Sequence, residues 1–143
     1  MYGKAFSSLG RLLLPITQDA CAFYESHALF DDYAGVVYST DEGARIAKAL
    51  GPTNKAVILR NHGLLTVGTT VASAIWWFVS MERCAQAQLI AEQAAINGHK
   101  DLITIDHDMA RAAHDIIGVE QTGQFSFQPM YQMIVRDQPD CLE

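Results

Sequence analysis

Two short apolar runs, separated by a four-residue polar insert and followed by a long apolar segment, constrain the fold of this chain most strongly. The runs are residues 56–59 and 64–67, and the insert R-N-H-G occupies residues 60–63. Both runs have the length of a strand and are bounded by turn-forming residues, so the sequence predicts two paired strands joined by the insert. A long helix is expected over residues 70–96, because a threonine can cap its start and Asn-Gly follows its end.

The predicted long helix carries apolar side chains on more than one side. Such a helix usually packs on two neighbours, and we expect it to contact the sheet and another element, which could belong to another subunit. The residues that recur at helical spacing are Val71, Ala74, Ile75, Phe78, Met81, Ala85 and Leu89, and Trp76 and Trp77 widen the apolar surface.

The remaining elements are shorter. We predict a further strand, helices that end before glycine, and a last helix that begins near Pro129. The short helices are expected at residues 3–9 and 17–24, the strand at 34–38, and the other helices at 41–50 and 105–117. One alternation of strand and helix plus a hairpin indicates an α/β or α+β layered domain. Three strands make a small sheet for so much apolar helix, which suggests that part of the domain is absent.

Composition excludes several classes of function. The 143 residues suit one domain with a real core, and half of them are apolar while 18% are charged. A net charge of −6 argues against a general nucleic-acid or anionic-membrane binder. The three cysteines form no C-x-x-C pair, which favours a reducing compartment, and we predict a cytoplasmic location.

Five histidines are candidates for chemistry, and four of them have ordinary interpretations. His107 and His114 are expected on a solvated helix face, His99 at a helix C-cap, and His27 in a loop. No pair has H-x-H or H-x-x-x-H spacing. His62 is different, since it lies between two strands that could hold a ligand rigidly. Spacing alone still favours a turn residue over a metal ligand or catalytic base, because no partner is visible.

The chain contains, in this order, Y-G-K-A-F-S-S-L-G, Y-A-G-V-V-Y, V-I-L-R-N-H-G-L-L-T-V-G and F-Q-P-M-Y. This order resembles the class II aldolase/adducin domain family over nearly the whole chain. The resemblance implies a three-layer α/β/α sandwich, often assembled as a tetramer. It also implies a divalent metal, usually zinc, that polarises a sugar-phosphate carbonyl and stabilises an enediolate. In the family, two ligands come from an H-x-H motif and the third from the N-H-G segment, so His62 resembles the third metal ligand.

The resemblance starts at Tyr2, and in the family the H-x-H motif comes just before this point. We therefore expect the first two ligands, a supporting glutamate and the phosphate-binding loops to lie upstream of this chain. The expected fold is an N-terminally truncated sandwich, with a partial domain at residues 1–123 and a docked tail at 124–143. Gln18 takes the place of the family's catalytic tyrosine, which argues against aldol chemistry, and no catalytic residue is assigned.

Three hypotheses follow. The first is a metal-dependent sugar-phosphate aldolase or epimerase that is inactive as this chain alone. The second is an adducin-like, non-catalytic module that binds cytoskeletal or scaffold proteins, although the basic tails of animal adducins have no counterpart here. The third is an oligomerisation half-domain. The partners expected from the resemblance are a sugar phosphate and further copies of the chain, with no nucleic acid and no membrane.

Overall fold

The structure, a computed structural model, describes residues 1–32 and 40–142. The strand predicted at residues 34–38 lies outside the described residues. The elements, in chain order, are α1 (Tyr2–Ser7), a 3₁₀ helix (Asp19–Phe23), β1 (His27–Phe30), α2 (Thr40–Leu50), β2 (Ala56–Leu59), β3 (Gly63–Thr66), α3 (Val71–Asn97), α4 (His107–Ile117), α5 (Glu120–Asp137) and a second 3₁₀ helix (Pro139–Leu142). No helix in the described part of the chain is long and apolar enough to cross a membrane.

A small mixed sheet forms the centre of the described structure, in the order β1-β2-β3. β2 and β3 are antiparallel with Leu59 opposite Gly63, which confirms the predicted hairpin. β1 runs parallel to β2 with His27 opposite Ala56. The prediction of a loop around His27 is therefore wrong. H-A-L-F is too short to show alternation, and it becomes a strand because its backbone pairs with the fully buried β2.

Helix α3 confirms the predicted start, length and packing of the long helix. Thr70 and Ser73 form a capping box, in which the Thr70 hydroxyl accepts a hydrogen bond from Ser73 N at 3.2 Å. The helix contacts both β3 and α5, and Trp77, which packs against Gly123 of α5, is 1% exposed. Apolar residues on more than one side of α3 thus mark two separate packing surfaces.

Helix α5 begins at Glu120, so the prediction of a start near Pro129 is wrong. Pro129 lies inside the helix on its exposed side, where the missing N–H leaves the Phe125 carbonyl without its helical partner. The first turn is held by Gly123, which packs against the Trp77 ring. The expected boundary between residues 123 and 124 therefore falls within a continuous helix, and the division of the chain there remains a prediction.

Candidate functional site

His62 lies in the tight connection between β2 and β3, and its side chain is exposed. Its backbone N–H donates to the Leu59 carbonyl at 3.0 Å, which closes the turn. Asn61 has φ +58° and Gly63 has φ +150°, so the two residues that flank His62 take backbone angles that most side chains avoid. The R-N-H-G sequence thus fixes the backbone of the turn that carries the imidazole.

The support behind this turn is rigid. All four residues of β2 are buried, and the Asn61 N–H donates to the Ser7 carbonyl of α1 at 3.3 Å. Because the turn is tied both to the central strand and to a neighbouring helix, it differs from a free surface loop. A side chain on such a support is well placed to act as a ligand.

An open pocket of about 540 Å³ lies beside His62, between α1, β3 and α3. Its walls combine apolar side chains, Leu64 and Phe78, with the polar Lys4 and Glu82. The Lys4 stem packs close to the turn, since its Cγ lies 3.7 Å from where a Cβ on Gly63 would be. One imidazole, one amine and one carboxylate therefore line the same space.

Glu82 is the residue of this pocket that sequence reasoning missed. Its carboxylate accepts hydrogen bonds from the N–H groups of Tyr2 and Gly3, both at 2.6 Å, and it also pairs with the Met1 amino group. Burial raises the pKa of Glu82, but these hydrogen bonds and the amino group outweigh burial and lower the pKa below its ordinary value. The sequence feature that could have pointed to Glu82 is its position, a charged residue in the middle of the apolar long helix.

Of the side chains around this pocket, His62 fits the role of one ligand in a metal centre. Among residues 1–32 and 40–142, no group of three or more His, Cys, Asp or Glu side chains could hold a metal ion. Catalytic zinc takes three protein ligands, and neutral imidazole is a common one. His62 matches a single ligand of such a centre, and the described residues around it do not complete one.

The other histidines contact groups within the fold or lie at its surface. The His27 ring bonds the Phe23 carbonyl at 2.6 Å and accepts from the Leu13 N–H at 3.0 Å, and burial lowers its pKa. His107 contacts the Tyr24 hydroxyl at 2.9 Å on an exposed face, and His99 follows the C-cap of α3. The prediction that His114 is solvated is wrong, since its side chain is 19% exposed and packs over Gly118. Gln18 lies in a separate cleft, away from His62.

Known proteins resemble this chain over most of its length. A family profile described as "Class II Aldolase and Adducin N-terminal domain" matches residues 1–89. The chain is 42% identical over 140 residues to the 4-hydroxy-3-prenylphenylpyruvate oxygenase/4-hydroxy-3-prenylbenzoate synthase of Streptomyces roseochromogenus subsp. oscitans, covering 98% of this chain and 48% of that protein. It is 34% identical over 104 residues to the alpha-adducin of Rattus norvegicus, covering 73% of this chain and 14% of that protein.

A solved structure is similar as well. The L-fuculose 1-phosphate aldolase from Glaciozyma antarctica PI12 superposes with a TM-score of 0.84 at 44% identity, and the match covers 98% of this chain and 50% of that chain. The chain thus spans about half the length of the oxygenase and aldolase relatives.

Proposed function

This chain belongs to the class II aldolase and adducin family, and we propose on that premise that His62 is one ligand of a divalent-metal site acting on a carbonyl-bearing small molecule. Its fold is that of the class II aldolases, as predicted. The proposed reaction type is that of a metal-dependent sugar-phosphate aldolase or epimerase, with zinc as the metal. One observation carries the proposal: the exposed His62 imidazole is fixed at the end of the buried central strand and faces an open pocket.

The substrate class follows from the chemistry that such a site offers. A bound divalent ion acts as a Lewis acid towards a carbonyl oxygen. The names of two relatives refer to a phenylpyruvate and to a sugar phosphate, and both compounds contain a carbonyl group. In this chain, neutral His62 would offer its ring nitrogen to the metal, and Leu64 and Phe78 would shield one side of the pocket from water.

The other ligands are proposed to come from outside these 143 residues. The chain spans about half the length of two of its relatives, and a single imidazole does not hold zinc tightly. An H-x-H segment and a glutamate encoded upstream would supply the remaining donors. The 143-residue chain alone is therefore expected to be inactive.

Metal content tests this proposal. Elemental analysis of the purified 143-residue chain should find well under one zinc per chain. A version extended upstream through an in-frame H-x-H should bind about one, because three imidazoles then converge. His62→Ala should remove that zinc from the extended chain, while His99→Ala, at an exposed position after α3, should leave it in place.

Two results would contradict the assignment of His62. One is a tightly bound ion in each 143-residue chain, which would require ligands other than those proposed. The other is an extended chain in which His62→Ala still holds a full equivalent of zinc.

A second candidate is an adducin-like, non-catalytic module that binds other proteins. The similarity to alpha-adducin over 73% of the chain favours it. An extended chain that keeps His62 but binds no metal would support this candidate over the enzyme.

A homo-oligomer is the proposed assembly in both cases, because α3 keeps Val71, Ile75 and Ile90 exposed. The cytoplasmic location and the absence of nucleic-acid and membrane partners stay predictions.

A further inference from the structure

A second cavity lies at the opposite end of β2 from His62. It has a volume of about 430 Å³ and shares no lining residue with the His62 pocket. Lys55, which directly precedes β2, reaches into it, and Trp77, His114, Gly118 and Glu120 form much of its wall. Nothing in the proposed metal chemistry uses these residues.

Lys55 places a partly buried ammonium group in this cavity. Its Nζ donates to the Ala22 carbonyl at 2.8 Å and to the Gly118 carbonyl, and it lies 4.6 Å from the centre of the Trp77 ring. Two of its three N–H groups are thereby used. Among the described residues, no carboxylate lies within 4.0 Å of Nζ. One donor of a charged group thus remains for a ligand.

His114 brings a second unmatched polar atom to the same place. Its Nε2 is buried and has no hydrogen-bond partner in the part of the chain that the structure describes. The ring lies directly over Gly118, since a Cβ there would be 2.8 Å from Nε2. Gly118 therefore touches both groups, because its carbonyl accepts from Lys55 while its Cα faces the imidazole. A buried polar atom without a partner is costly, and a ligand oxygen that reaches Nε2 would remove that cost.

The third charged group of the cavity limits what can bind. The Glu120 carboxylate accepts hydrogen bonds from Thr69 N at 2.9 Å and from Thr69 Oγ1 at 2.6 Å, and also from the Ser73 hydroxyl. It is therefore engaged at the junction of α3 and α5, and its charge repels a dianion. The Glu120 charge therefore disfavours a ligand with two negative charges more strongly than a ligand with one.

We propose that this cavity binds a small monocarboxylate, whose oxygens accept hydrogen bonds from Lys55 Nζ and His114 Nε2. The Nε2–H donor is available in the imidazolium and in the neutral tautomer that leaves Nδ1, which lies 3.5 Å from Asp115 Oδ1, without its proton. Charge-assisted hydrogen bonds of this kind are among the strong ones, and the Trp77 ring beside them offers an apolar surface to the rest of the ligand.

Binding should depend on pH through Lys55. Burial lowers the pKa of Lys55 to about 8, although the charge of Glu120 opposes this shift. Burial also lowers the pKa of His114, as do Lys55 and Arg111, while Asp115 raises it. Because a carboxylate needs the ammonium form, the affinity should fall about tenfold for each pH unit above 8.

The test is a titration of the chain with sodium acetate at constant ionic strength, followed by the Trp77 indole resonance. A saturable shift is expected at pH 7. Lys55→Met should abolish it, because the stem remains but the charge is lost. His114→Phe, which keeps a ring without a donor, should weaken binding at least tenfold. Lys100→Met, which removes a charge from an exposed position, should leave the affinity unchanged.

Several outcomes would overturn the proposal. These are a shift that does not saturate, an equal response to sodium chloride, and acetate binding that is unchanged in Lys55→Met. Tighter binding of inorganic phosphate than of acetate would also overturn it, since the cavity would then select for a different charge. If Lys55→Met does not fold, the His114→Phe variant becomes the deciding test. An acetate affinity equal to that of the wild type in His114→Phe would then refute the proposed site.

Discussion

Glu82 shows how one residue can connect two helices that are far apart in the sequence. Its side chain extends from the middle of α3 and accepts hydrogen bonds from the N–H groups of Tyr2 and Gly3 at the start of α1. These N–H groups have no hydrogen-bond partner within α1. The fit leaves no room for a side chain at Gly3, where a Cβ would lie 2.5 Å from Glu82 Oε2. This contact holds α1 against the wall of the His62 pocket.

We predict that Glu82→Gln lowers the free energy of unfolding by about 1–2 kcal/mol at neutral pH, because a neutral amide replaces the charged acceptor of buried N–H groups. The folded-state pKa of Glu82 is lowered, so its stabilisation is present above the unfolded pKa of 4.5 and is lost as the pH falls. The difference between wild type and variant should therefore shrink below pH 4.5. Urea unfolding at several pH values measures it.

The control for this experiment is Asp101→Asn, which neutralises an exposed carboxylate after α3 and should change stability by less than about 0.5 kcal/mol. Equal effects of the two substitutions would mean that net charge, and not the α1 contact, explains the result.

At the scale of single residues, the sequence identified His62 but not Glu82 or Lys55. The R-N-H-G insert predicted a turn between strands, and the turn is present with Asn61 and Gly63 at positive φ. Glu82 and Lys55 could not be found in this way. Their roles depend on backbone groups of Tyr2, Gly3, Ala22 and Gly118, which are distant in the sequence and reach these side chains after folding.

At the scale of elements, the packing of α5 on α3 depends on the absence of a side chain at Gly123. A Cβ at this position would lie 2.8 Å from the Trp77 ring and 3.1 Å from Ser73 Cβ. The Glu120 hydrogen bonds to Thr69 and Ser73 fix the same junction one turn earlier. The first turn of α5 is thus the part that holds it to the domain.

Gly123→Ala should destabilise the chain by about 1–3 kcal/mol, because the added methyl group forces the Trp77 ring or the whole helix to move. Gly43→Ala in α2 is the matched control, since nothing lies within 4 Å of the Cβ it adds. That substitution should stabilise by up to about 1 kcal/mol through helix propensity. Thermal unfolding of both variants measures the contrast, and stabilisation by both would show that α5 does not depend on this close approach.

Elements with strong local signals were predictable, and those made by tertiary contacts were not. α3 was predicted because Thr70 caps it, Asn97-Gly98 follows its last turn and its apolar residues repeat. The start of α5 was missed because Val119 offers no side-chain cap and Pro129 suggested a first helical position. β1 was missed because its strand character comes from pairing with β2.

For the whole molecule, stability is expected to decrease from the Trp77 region towards the C-terminus. The core cluster joins Phe6, Phe23, Ile58, Trp77 and Met81, which are at most 1% exposed and come from helices and the sheet. Residues 131–142, in contrast, are exposed except for Val135. Segments with few buried contacts open at lower free energy than the core.

Native-state hydrogen exchange should reveal this gradient. Amides of residues 77–85 should exchange through global unfolding, while those of residues 131–137 should exchange much faster and with little dependence on denaturant. Mass spectrometry of peptides from the two regions measures the rates. Similar protection in both regions would indicate that the second half of α5 is covered by a partner, which a dilution series would then test.

The two strand pairings of β2 are also expected to form at different times during folding. The β2–β3 hairpin closes a loop of three residues, whereas β1 and β2 are separated by residues 31–55. Closing the longer loop costs more entropy and takes longer, so the hairpin is expected to form first and β1 to join it afterwards. The turn that carries His62 would then exist before the domain around it is complete, and the later elements would assemble against a preformed edge.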